Sequence, residues 1–129
     1  YFDQKVEPFI NDDDIIFVGN SGPAERNALL GGAFALLHPI DFEEPFGLSV
    51  VESMLCGTPV IAFNKGSMPE LIVDKKTGFL VNGIEEAREA ADSLKLIDRK
   101  HCRDWAESNF SRDKMTEDYL KVYKQILDQ

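Results

Sequence analysis

Apolar residues in this chain fall into two kinds of pattern, and the two alternate. Asp14 to Val18, Ala33 to Leu37, Val60 to Phe63 and Gly78 to Val81 are short and apolar nearly throughout, as strands are when a parallel sheet is covered on both faces. Between them lie stretches with helical spacing or turn residues. Gly19-Asn20-Ser21-Gly22 breaks the first run, and Pro23 suits the first turn of a helix predicted over Pro23 to Leu30. Gly47 to Cys56 predicts a second helix, and Thr58-Pro59 ahead of Val60 fits proline at the start of a strand. Pro69 and Glu70 start a short helix, and Asp74-Lys-Lys-Thr-Gly78 reads as a turn. Strand alternating with helix is the doubly wound α/β pattern.

Beyond Val81 the pattern is helical only. Glu85 to Ile97 and Asp98 to Asn109 predict two helices. Ser111 is placed to cap a third, in which Met115, Tyr119, Val122 and Ile126 recur every three or four residues and predict a buried stripe. Residues 84–129 therefore read as C-terminal helices. A nucleotide-binding half of this type holds about six strands, and four runs are visible, so 1–129 reads as one partial domain lacking its first two strands.

Composition narrows the function classes. At 129 residues and 43% hydrophobic content the chain can bury a core as a single domain. No apolar run approaches a membrane span, and no signal-peptide pattern is present. The chain starts at Tyr1 without a Met and reads as an excerpt of something longer. Cys56 and Cys102 are far apart without metal-ligand spacing, which fits reduced thiols in the cytoplasm. A net charge of −9 argues against nucleic acid and anionic membranes. A phosphate-bearing ligand would also have to be bound against that field.

The candidate chemistry sits in Glu44-Pro-Phe-Gly-Leu-Ser-Val-Val-Glu52, between two strand-like runs. Strand, Gly-containing loop and helix N-terminus together form a common phosphate grip. On the Gly47–Cys56 helix, Leu48, Val50, Val51, Met54 and Leu55 form a wide apolar arc with Glu52 at its edge as the sole charge. A carboxylate in so apolar an element either finds hydrogen-bond donors or reaches solvent. Glu52 leans toward the helix N-terminus, where Phe46, Gly47 and Leu48 present free amides. One ligand could then place a diphosphate on those amides and a sugar diol on Glu52; the alternative is a boundary Glu in water. Glu44 has two readings as well. Acids are favoured near a helix N-terminus, but Asp41, Glu43 and Glu44 put three in four positions, where they repel. Pro45 fixes the backbone there, and Gly47 is expected to let a ligand approach closely. His38, at a strand end, and Trp105, in a helix, read as structural, as do Lys65, Gly66, Ser67 and Glu70; Lys75 and Lys76 read as solvated.

These motifs carry a resemblance. Glu, seven residues, then Glu, inside EPFGLSVVESMLCGTPVIA and followed by KGSMPELI and KTGFLV, resembles the retaining nucleotide-sugar glycosyltransferases of the GT-B fold. The narrower likeness is to the glycosyltransferase group 1 family, which includes sucrose-phosphate synthases and mannosyltransferases. It implies a Rossmann-like parallel sheet with flanking helices, the C-terminal half of a GT-B fold. It also implies a hexosyltransferase parent that takes a nucleotide-diphosphate sugar, without cofactor or metal. By this resemblance Glu52 accepts from the ribose hydroxyls, and Glu44 contacts the transferred sugar as the catalytic residue. The amides of Phe46, Gly47 and Leu48 meet sugar and diphosphate, and Gly19, Asn20 and Ser21 border the base. The resemblance puts the diphosphate-binding Arg and Lys, and the N-terminal acceptor domain, outside this chain, so the chain alone is expected to be inactive. It places the two missing strands between the first visible strand and the other three. Strand 14–18 is then expected either to re-pair with strand 33–37 or to leave edges through which the chain self-associates. Two other readings remain: a nucleotide-sugar epimerase or sugar phosphorylase of the same fold, and a non-catalytic nucleotide-binding module. Glu44 disfavours the last, because a plain phosphate binder has no use for it.

Overall fold

The computed structural model describes residues 1–128. Its helices are α1 (Phe2–Lys5), α2 (Pro23–Gly32), α3 (Leu48–Leu55), α4 (Met68–Leu71), α5 (Ile84–Ser93), α6 (Arg99–Phe110) and α7 (Arg112–Leu127), with short 3-10 turns at Glu7–Phe9 and Leu94–Leu96. Strands β1 (Leu36–His38), β2 (Val60–Phe63) and β3 (Gly78–Val81) form one parallel sheet in that order. Leu36 pairs with Val60, and Val60 pairs with Gly78. The architecture is therefore α/β with a Rossmann-like parallel sheet and flanking helices, as expected.

Strand alternation divides the core. Val60 and Ala62 join Val50, Met54, Leu71, Cys102 and Ala106 on the face covered by α3, α4 and α6. Ile61 points the other way, to Val81, Ala90 and Leu94 beneath α5. Continuous apolar runs thus serve two cores at once. The expected cap at Ser111 forms, accepting from the Lys114 amide, and Asp98 caps α6 by accepting from the Lys100 amide. Trp105 packs at the edge of the first core and donates its indole N–H to the Leu71 carbonyl at 2.8 Å.

Two expectations are corrected. Residues 14–18 form no strand: Ile15 to Val18 are 48–62% exposed, and the Asn11 carboxamide oxygen accepts from the amides of Asp13, Asp14 and Ile15 to make a bend. A strand needs a ladder partner, and β1 pairs only with β2. Re-pairing of 14–18 with 33–37 is therefore not the arrangement adopted. The α7 stripe is not buried either, since Met115, Tyr119, Val122 and Ile126 are 49–61% exposed. Helical spacing records an apolar face and is silent about what covers it.

One tie was not legible in the sequence. The Arg99 guanidinium donates to the carbonyls of Ala33 and Gly31 at 2.8 Å and to the Thr58 hydroxyl at 2.7 Å, while Thr58 donates to the Leu30 carbonyl. Arg99 thus satisfies the open carbonyls at the C-terminus of α2. Arg99→Ala is expected to cost about 1.5–3 kcal/mol, read as a lower midpoint in urea unfolding.

Candidate functional site

The site is built at the carboxyl ends of β1 and β2, where ligands of open α/β sheets bind. Between β1 and α3 runs the loop of residues 39–47, and the turn after β2 holds it from below. Gly66 donates its amide to Glu43 Oε2 at 2.6 Å, and Ser67 donates its amide to the Glu44 carbonyl at 2.9 Å. The Ser67 hydroxyl donates to the Phe46 carbonyl at 2.6 Å, and Lys65 forms an ion pair with Asp41. These bonds remove the difficulty of three acids in four positions. Asp41 and Glu43 are occupied by the turn, and Glu44 alone keeps a carboxylate without a protein partner among the described residues.

Gly47 takes a left-handed conformation, φ +92°, at the start of α3. A Cβ there would lie 2.8 Å from Met68 Cε and 3.3 Å from Leu71 Cδ1. The space on that side is already filled by α4, so the glycine serves backbone sign and packing there. The amides of Phe46, Gly47 and Leu48 donate to no protein acceptor among the described residues, which leaves them open at the start of α3. Phe46 is held edge-on against Phe110, with ring centroids 6.2 Å apart.

Glu52 accepts from none of those amides and is partly open to water. Its Oε1 stands 3.1 Å from Arg26 Nη2 of α2, and its side chain is 31% exposed. Phe46, Leu48 and Glu52 together line one wall of a cleft of about 430 Å3, closed on the far side by Phe110, Met115 and Tyr119. The turn Gly19, Asn20, Ser21 precedes α2, the helix that carries Arg26. Gly19 has φ +66°, and the Ser21 hydroxyl is buried without a partner among the described residues.

His38 closes β1 on the α3 side of the sheet, in register with Ala62. It is 8% exposed, and its Nε2 has no partner among the described residues. Burial lowers its pKa below the ordinary histidine value, while the Glu44 carboxylate pulls the other way. Burial also raises the Cys102 thiol to about 11, which leaves it protonated and inert. Among the described residues no group of three or more His, Cys, Asp or Glu could hold a metal ion, and no helix is long and apolar enough to cross a membrane.

The family model for glycosyl transferases group 1 matches residues 3–112, which takes in every element from α2 to α6, the loop 39–47, Arg26 and Glu52. The chain belongs to this family. An uncharacterized 41.2 kDa protein in the cps region of Klebsiella pneumoniae is 33% identical over 122 residues, covering 89% of this chain and 34% of that one. Among solved structures, a glycosyltransferase from Rickettsia africae superposes with TM-score 0.72 at 26% identity, over 90% of this chain and 33% of that one. Anabaena HepE, solved in complex with UDP-glucose, shares the fold with TM-score 0.70 at 21% identity, over 96% of this chain and 36% of that one. This chain therefore spans about a third of the relatives it matches. Its sheet and helices are those of a GT-B glycosyltransferase C-terminal domain.

Arg26 is the site residue that sequence reading missed. It sits mid-helix with no motif around it, and only the packing of α2 on α3 brings it to Glu52.

Proposed function

We propose that this chain is the donor-binding part of a retaining glycosyltransferase that moves a hexose from a nucleotide-diphosphate sugar to an acceptor. The observation that carries the reading is the helix N-terminus flanked by two different carboxylates. Phe46, Gly47 and Leu48 offer unspent amides, Glu44 is the one free acid of its loop, and Glu52 lines the neighbouring cleft. Amides at a helix start suit a diphosphate, and carboxylates suit hydroxyl donors. Glu52 reads the ribose diol, Glu44 orients the transferred sugar as the catalytic residue, and Gly19, Asn20 and Ser21 border the base. Membership of the family supports this, and the HepE complex, alike in fold alone, is an instance of that fold holding a nucleotide sugar.

The acceptor is engaged by a further domain, and the reaction proceeds without a metal, so transfer should survive EDTA. Both cysteines are free thiols, which supports a cytoplasmic setting. The open edge of β1 is where the chain would self-associate.

The test is a thermal-shift panel of UDP, GDP, ADP and their sugars on the full-length protein. A shift with one base family is expected, and no shift with any would sink the reading. On the responding nucleotide, Glu52→Gln is expected to weaken binding about tenfold or more, because a charge-assisted bond to a hydroxyl contributes about 1.5–3 kcal/mol. Calorimetric titration measures it.

A further inference from the structure

We propose that Arg26 is the positioning residue of the ribose subsite, holding one oxygen of Glu52 so that the carboxylate faces a diol already oriented. The inference rests on the donor-site reading above. Arg26 is the only Lys or Arg between Lys5 and Lys65, and Glu52 is the only charged residue of α3. The one cation of α2 and the one anion of α3 meet at 3.1 Å.

The pair does little for the fold itself. Its side chains are 45% and 31% exposed, and ion pairs so open to water contribute little to stability. The packing of α2 on α3 is light, because α2 contains no buried residue. What the pair does fix is direction. A glutamate has three rotatable bonds, and unpaired it would have to be ordered when a ligand binds. Arg26 takes a single contact on Oε1. A carboxylate has about four acceptor positions, so the remainder stay free for two hydroxyls. Arg26 acts through Glu52 and need not touch the ligand.

The geometry predicts a selective defect. Arg26→Gln, in the full-length protein, is expected to lose about tenfold in affinity for the ribonucleoside diphosphate that binds best among UDP, GDP and ADP. Its loss for the 2′-deoxy form of the same nucleotide should be about twofold or less, because that form presents Glu52 with one hydroxyl fewer. Arg26→Lys should restore most of the discrimination. Equal losses for the two sugars would make Arg26 a purely structural residue and overturn the proposal, as would unchanged or tighter binding of the ribose form. If the unaltered protein binds no nucleoside diphosphate at all, the donor-site reading fails and this inference fails with it. Binding with a ribose preference that ignores position 26 overturns the inference alone.

Discussion

Gly66→Ala is expected to abolish most sugar transfer, by about a hundredfold, although Gly66 touches no part of the proposed ligand. A Cβ at this position would lie 2.5 Å from both the amide nitrogen and the carbonyl oxygen of Glu44, and 3.0 Å from the Glu43 carbonyl carbon. All three are backbone atoms, so no side chain can swing aside. The residue also has φ +54°, a conformation that costs an L-residue about 1–2 kcal/mol. Relief requires the 41–46 loop to lift off its turn, which breaks the bonds from Gly66 to Glu43 and from Ser67 to Glu44. Glu44 rides on that loop, and a displacement of about 1 Å at a reacting group can cost about a hundredfold. Steady-state transfer kinetics and a melting curve measure the two consequences. A variant that melts earlier but transfers sugar at the normal rate would show that the turn supports the fold without placing Glu44.

Glu44→Ala should produce the complementary result. The kcat for transfer falls about a hundredfold or more, while affinity for the nucleotide alone changes by about threefold or less. The division follows from the loop's bookkeeping of charge. Asp41 is paired with Lys65 and Glu43 with the Gly66 amide, so Glu44 is the acid left for the sugar. It lies on the strand side of the helix N-terminus, whereas Glu52 stands a turn along α3 beside Arg26. Kinetics with the nucleotide sugar and titration with the nucleotide alone separate the roles. Equal losses in both would count against the division.

How far the sequence was legible depended on what each element needs in order to form. β2 and β3 are buried between two cores, so their composition alone declares them. The helix cap at Ser111 is local and was readable from the sequence. Ile15 to Val18 have a strand's composition but no ladder partner, and composition cannot supply one. The apolar stripe of α7 failed similarly, because periodicity says which residues share a face and not whether anything packs on it. In the site, the Glu44–Glu52 spacing and the open amides were visible along the chain. Arg26 and the grip of the Lys65–Ser67 turn were not, since both depend on contacts between segments more than 20 residues apart. At Gly47 the sequence did not show that the missing side chain makes way for Met68.

The cap that Arg99 places on α2 has an effect well away from where it is made. A helix with no buried residue takes its bearing from its moorings, and α2 has one at its C-terminal end, made by Arg99 with Thr58, and another further in at the Arg26–Glu52 contact. Losing the first loads the second. A mutational scan scored only by nucleotide affinity would therefore flag Arg99, in α6, as a ligand contact. A melting curve would tell the mooring from the reader, because loss of Arg99 is expected to cost stability and loss of the exposed Arg26–Glu52 pair is not.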